Sequence, residues 1–152
     1  EVSIMDNLSN FTERLRELMQ ERGLNNSSLE KVSGCPNTTI SAWLTKNAFP
    51  KPRSLIRLSD YFDCSIDYLL GLTDAPERSR SENPTTFANR ITQLTKDKNI
   101  TFYRVYTDCK IPNNYFSRWL HKNLIPEITT LTVIADYFGC SIEYLLGISD
   151  KF

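Results

Sequence analysis

Four short polar side chains, Asn37, Thr38, Thr39 and Ser41, stand at the front of a stretch that also holds Ile40, Trp43 and Leu44. Amides and hydroxyls donate and accept hydrogen bonds together, the capacity that base-pair edges require. The same residue types are also good helix caps, so both readings attach to them. Catalytic chemistry has less to work with. His121 is the sole histidine, on an expected outer helix face without a nucleophile or metal partner. Cys35, Cys64, Cys109 and Cys140 lack the close spacing of a zinc knuckle or a redox pair. Cys64 and Cys140 sit among aromatic and aliphatic neighbours and read as core packing, with the reduced thiols of a cytoplasmic protein. The five glycines fall at helix ends and turns, and none builds a phosphate loop. The expectation is a chain that is not an enzyme, with no cofactor, metal or small-molecule ligand.

The elements that position the polar front occur twice. "DYFDCSIDYLLGLTD" at residues 60–74 returns as "DYFGCSIEYLLGISD" at 136–150. A 76-residue offset aligns residues 11–76 with 87–152 without a gap, and 23 of these 66 positions are identical. Two copies of this length are tandem domains rather than a solenoid. The boundaries expected are a first domain at residues 7–74, a linker at 75–84 and a second domain at 85–152. The linker is drawn from the polar, proline-bounded "DAPERSRSENP" at 74–84. Those eleven residues reach at most about 36 Å when extended.

Helical periodicity runs through each copy and sustained alternation is missing, so the fold class is all-α, with five helices per domain. Phe11, Leu15, Leu18 and Met19 mark the first helix, where Asn10 and Glu13 resemble a capping box and Gly23 a stop. "NNSSLEKVS" before Gly34 gives the second, and "PNTTISAWLTK" the third, with Pro36 at its start. "RSLIRLSDYF" is the fourth, and "SIDYLLG" the fifth, capped by Ser65 and stopped by Gly71. Leu29, Val32, Ile40 and Trp43 are expected to face inward. Tyr61, Phe62, Cys64, Ile66, Tyr68, Leu69 and Leu70 are expected to pack the corner between the last two helices. Apolar runs are too short for a membrane span. Charge balances at 18 basic and 18 acidic residues, unlike a strong nonspecific nucleic-acid binder. Residues 1–76 carry −2 and residues 77–152 carry +2.

The order "RLRELMQERGL…SLEKVSG…TTISAWL…P…LIRLSDYFDCSIDYLLG" resembles the phage-repressor/Cro-type, or Xre-type, helix-turn-helix family across nearly all of both copies. The resemblance implies two tandem five-helix, lambda-repressor-like DNA-binding domains. In each, the third helix enters the major groove and the second crosses the backbone. Carried over, the base-reading candidates are Asn37, Thr38 and Ala42, flanked by Ser41, and Asn113, Asn114 and Arg118, flanked by Ser117. Arg118 stands on the outer face and can read guanine with two hydrogen bonds, whereas Ala42 can only touch a thymine methyl. Candidates for the DNA backbone are Asn26, Ser27, Lys46, Asn47 and Lys51 in the first copy. In the second they are Arg104, Lys110, His121, Lys122 and Asn123.

Some positions depart from the family pattern. The usual early glutamine of the second helix is Asn26 in one copy and Phe102 in the other. Leu44 and Leu120 replace a glutamate that pairs with an arginine of the first helix. Arg14 and Arg90 are retained all the same, and either find another acceptor or face a phosphate.

The reading is a bacterial or phage transcriptional regulator that binds specific double-stranded DNA. Its two domains pair within one chain, or the chain forms a homodimer through the fifth helices. The rival is a protein-interaction module, antitoxin-like or adaptor, on the same scaffold. Neutral charge and altered backbone contacts favour the rival, and polar third-helix fronts favour DNA, with Tyr115 the exception.

Overall fold

A computed structural model describes residues 4–152, with side chains placed from Ser9 onward. The described residues are helical and carry no strand. The chain divides into two compact units, one ending at Arg78 and the other beginning at Ser79. The first holds α1 (Ile4–Glu21), α2 (Asn26–Ser33), α3 (Asn37–Thr45), α4 (Pro52–Phe62) and α5 (Ile66–Leu69). The second holds α6 (Phe87–Asp97), α7 (Phe102–Asp108), α8 (Asn113–Lys122), α9 (Ile128–Phe138) and α10 (Ile142–Leu145).

The five-helix expectation therefore holds in both copies. Phe11 and Leu15 of α1, Leu29 of α2, Ile40 and Trp43 of α3, and Leu55 and Leu58 of α4 are buried together in the first unit. The spacings of three and four put each helix's apolar residues on one stripe. Phe11 meets Trp43 edge-on at 5.8 Å, and Phe87 meets Trp119 in the same way at 6.0 Å.

The register of the duplication is written into the backbone. Left-handed residues pair across it as Gly23 with Asn99, Gly34 with Lys110, Asn47 with Asn123, Asp63 with Gly139, and Gly71 with Gly147. Each ends a helix or follows one closely, where a positive φ turns the chain away. Only the last pair is glycine in both copies, and the reason is space. A Cβ at Gly71 would lie 2.6 Å from the Asn10 Cβ, and one at Gly147 would lie 2.4 Å from the Thr85 carbonyl oxygen.

The repeated phrase is scaffold. Ser65 and Ser141 accept from the amides of Tyr68 and Tyr144, each at 3.0 Å, and so open α5 and α10. Tyr68 and Tyr144 then form floors for the two retained arginines. The Arg14 guanidinium carbon lies 3.8 Å from the Tyr68 ring centre, and that of Arg90 lies 3.9 Å from Tyr144. Asp74 and Asp150 complete the matched pairs at 3.8 and 3.9 Å. Arg90 is 6% exposed and donates to the Ser149 carbonyl at 3.1 Å. Both arginines have thus found partners inside their own unit.

Three details differ from expectation. Asn10 and Glu13 do not cap α1, because that helix begins at Ile4 and contains both. At the aligned site of the second unit a cap does exist: Thr86 accepts from the Asn89 amide at 3.1 Å and opens α6. Val32 does not face inward. It is 45% exposed, because α2 buries Leu29 and Ser33, four residues apart, and that stripe excludes it. Cys140 is half-buried, whereas Cys64 is buried.

The segment at 75–84 has no helix, yet both ends are bonded. The Pro76 carbonyl accepts from the Ser65 amide at 2.9 Å, and Arg78 donates to Asp60 and Asp63 at 2.5 and 2.9 Å. Arg80 pairs with Glu143 at 2.8 Å, and the Ser81 amide donates to the Ile148 carbonyl at 2.9 Å.

Candidate nucleic-acid interface

In the first unit the helix pair is set by hydrogen bonds. Asn25 and Ser28 form a reciprocal capping box, each backbone amide donating to the other's side chain at 2.8 Å. Gly34 then turns the chain at φ 76°, and Pro36 leads into α3. The Glu30 carboxylate accepts from the Asn37 amide at 2.9 Å, so α2 supplies the cap that α3 lacks locally. The Asn37 side-chain amide donates to the Ser27 hydroxyl at 3.2 Å, joining a base-reading candidate to a backbone candidate.

Trp43 and Ile40 are buried, which turns Thr38, Ser41 and Ala42 toward the opposite side of α3. Thr38 is exposed, while Asn37, Ser41 and Ala42 are partly so. Lys46, Asn47 and Lys51 are exposed on the connection to α4, and Asn26 is half-buried at the start of α2.

Three cations were missed by reading along the sequence. Arg57, on α4, donates to the Gly34 carbonyl at 3.3 Å and so stands beside the turn of the pair. Arg53 is exposed one turn before it on the same helix. Arg16 of α1 donates to the Leu44 carbonyl at the end of α3. With Asn25, Asn26, Ser27 and Leu44 it lines a shallow groove. The four-residue spacing of Arg53 and Arg57 was the available signal.

The second unit holds the same two helices with rings. Thr101 caps α7 through the Arg104 amide at 3.1 Å. Phe102 packs on Phe116 at 5.7 Å, Tyr106 on Phe116 at 5.8 Å, and Phe116 on Trp119 at 5.5 Å. Tyr103 is 66% exposed and meets Tyr106 edge-on at 5.4 Å. Phe102, in the place of the family's glutamine, therefore serves packing between α7 and α8.

Asn113, Asn114, Ser117 and Arg118 are all exposed, as are Lys110, His121, Lys122 and Asn123. Arg104 is held along α7, its Nε donating to Asp108 at 2.9 Å, and Tyr137 donates its hydroxyl to the same carboxylate at 2.7 Å. Tyr137 first, and Arg104 after it, hold the Asp108 carboxyl below its ordinary range. Burial, with Asp108 adding to it, pushes the neighbouring Cys109 thiol up to about 11, a poor nucleophile.

The outer faces of α4 and α9 diverge as well. Lys51, Arg53 and Arg57 of the first unit align with Glu127, Thr129 and Val133 of the second. Leu124, Ile125 and Val133 are exposed there.

Comparison with known proteins agrees with this geometry. Residues 15–69 match a helix-turn-helix family, and residues 90–151 match the Cro/C1-type HTH DNA-binding domain. The chain carries two helix-turn-helix family domains in tandem, the second of Cro/C1 type. Over 67 residues it is 30% identical to the uncharacterized HTH-type transcriptional regulator YobD of Bacillus subtilis (strain 168). That alignment takes in 44% of this chain and 60% of the relative. No solved structure matches the chain. Both helix-turn-helix units keep the fold of the family while presenting unlike surfaces beside α3 and α8. Among the described residues, no group of three or more His, Cys, Asp or Glu is placed to hold a metal ion. No described helix is long and apolar enough to cross a membrane.

Proposed function

We propose that the chain is a transcriptional regulator that recognises specific duplex DNA, with α3 and α8 entering the major groove. The observation that carries this reading is shared by the two helices. Each is anchored by a buried pair, Ile40 with Trp43 or Phe116 with Trp119, and turns a short polar row outward. The family match and the relative's name support it. On this reading Asn37, Thr38, Ser41 and Ala42 face one half-site, and Asn113, Asn114, Ser117 and Arg118 face another. Asn26, Ser27, Lys46, Asn47 and Lys51 hold phosphates beside α3, joined by Arg53 and Arg57. Arg104, Lys110, His121, Lys122 and Asn123 do so beside α8. One chain then supplies two unlike readers to an asymmetric site, with half-sites spaced by about 34 Å per helical turn. The balanced charge keeps affinity modest and dependent on salt.

Selection from random duplexes, followed by gel shifts across a salt series, tests this directly. Absence of any enriched sequence at low salt sinks the reading. On the selected site, Arg118→Ala is expected to cost about 1–3 kcal/mol and to relax one base position. Equal weakening on every sequence would make Arg118 a phosphate contact.

A second reading, a protein-interaction role for the second unit, draws on exposed Leu124, Ile125 and Val133 where the first unit carries cations. It predicts that Arg118→Ala and Asn114→Ala leave selected-duplex binding unchanged.

A further inference from the structure

We infer that the second unit carries a site for single-stranded nucleic acid, on the strip of α8 formed by Tyr115, Arg118 and Lys122. Spacings of three and four place these residues side by side along one exposed strip of the helix. Tyr115 is 47% exposed, and its ring lies nearly parallel to Trp119, at 22° and 6.5 Å between centres. Trp119 is itself fixed by Phe116 at 5.5 Å and Phe87 at 6.0 Å. The tyrosine is therefore a ring backed by the core and open to solvent on its outer side. A base stacking on it orders little that is not already ordered.

In a duplex every base face is already covered by its neighbours, so such a platform suits unpaired bases. The electrostatics fit a phosphate chain. Residues 111–126 contain Arg118, His121 and Lys122 and no acidic residue. Two fixed cations, Arg118 and Lys122, in a stretch of sequence free of Asp and Glu favour nucleic acid over a mixed-charge protein surface. The aligned strip of the first unit is Thr39, Ala42 and Lys46, which has neither ring nor guanidinium. This assigns the activity to the second unit alone. It goes beyond the duplex reading and shares Arg118 and Lys122 with it, whereas Tyr115 belongs to this site alone.

The test uses the full chain and a fluorescein-labelled oligothymidine of about 12 nucleotides, followed by anisotropy at low salt. The native protein is expected to bind, and Tyr115→Ala to weaken binding by about 5- to 150-fold, the range that one base–ring stack supports. Tyr115→Phe should bind like the native chain, because the ring and not the hydroxyl does the work. Tyr115→Leu keeps an apolar cover over Trp119 and should lose affinity as Ala does, which separates stacking from a folding defect. The proposal is overturned if the native chain ignores the oligonucleotide, if Phe loses as much as Ala, or if an abasic oligonucleotide binds equally well. Retention by an acidic polypeptide without oligonucleotide binding would reveal a protein surface and also overturn it. The selected duplex, titrated on the same variants, reads the regulator hypothesis separately. Failure of the native chain to bind any selected duplex, with its oligonucleotide binding intact, sinks that hypothesis and leaves this one standing.

Discussion

The two helix-turn-helix pairs solve one packing problem with different chemistry. Between α2 and α3, position matters through polar ties: Glu30 to the Asn37 amide, Asn37 to Ser27, and Arg57 to the Gly34 carbonyl. Between α7 and α8 the aligned positions of Glu30 and Ser27 are Tyr106 and Tyr103, and Ile40 has become Phe116. The substitutions are coordinated, since each ring that replaces a polar group meets another ring nearby. Surface hydrogen bonds hold geometry while contributing little net free energy, about 1 kcal/mol each. Buried rings contribute several times that. The first pair keeps small polar groups free to approach a partner closely. The second has exchanged part of that surface for a stiffer core and two exposed tyrosines.

The largest expected effect follows from that exchange. Phe116 touches Phe102, Tyr106 and Trp119, so Phe116→Ala should cost about 3–5 kcal/mol by urea unfolding of the second unit. Ile40→Ala, at the matched place, should cost about 2–5 kcal/mol, toward the lower end, because it removes a buried aliphatic side chain rather than a ring stacked among rings. A cheaper Phe116→Ala than Ile40→Ala would break the contrast, since it would show that the aromatic stack adds nothing to burial.

A smaller effect tests the polar side. Glu30→Ala removes the acceptor at the start of α3 and should cost about 1 kcal/mol, within the range of lost helix caps. Glu30→Gln keeps an acceptor and should recover most of it. Hydrogen exchange at the Asn37 amide is the sharper readout, and it should quicken with Ala more than with Gln. Unchanged exchange in both would mean that Pro36 and the packing of Trp43 alone fix the entry to α3.

How much of this could be read along the chain depended on the range of the interaction. The serine caps of α5 and α10 are local, and residue types announced them. The inward stripe was legible wherever a helix offered three or more apolar residues. It misled at Val32, because a two-turn helix with one buried leucine does not fix its own phase. Asn10 had the chemistry of a cap, but the chain before it continues the helix. What sequence could not supply were pairings across many residues. Arg14 finds Tyr68 and Arg90 finds Tyr144 only when the first and fifth helices meet. Arg57 became a candidate only when its guanidinium was seen beside Gly34, twenty-three residues away. Along the sequence only its four-residue spacing from Arg53 marked it.

The smallest effect sharpens the comparison at a titrating group. Asp108 accepts from Tyr137 and Arg104, and its counterpart in the first unit is Val32, which cannot ionise. Tyr137, then Arg104, lowers the folded-state pKa of Asp108 below the value it has in an unfolded chain. A lowered carboxyl pKa means that the unfolded state binds the proton more readily. The stabilisation is therefore complete above the ordinary carboxylate pKa, about 3.9, and is lost as pH falls through the lower folded value. Acid should weaken this tie in the second unit with no matching loss at Val32. Tyr137→Phe removes the leading cause and should move the Asp108 carboxyl signal, followed by carbon NMR, back toward the ordinary range. Arg104→Gln should move it less, in keeping with the order of the two causes. An Asp108 that titrates at the ordinary value in the native chain would show that the tie is too exposed to matter. The acid response of the two units would then have to differ for some other reason.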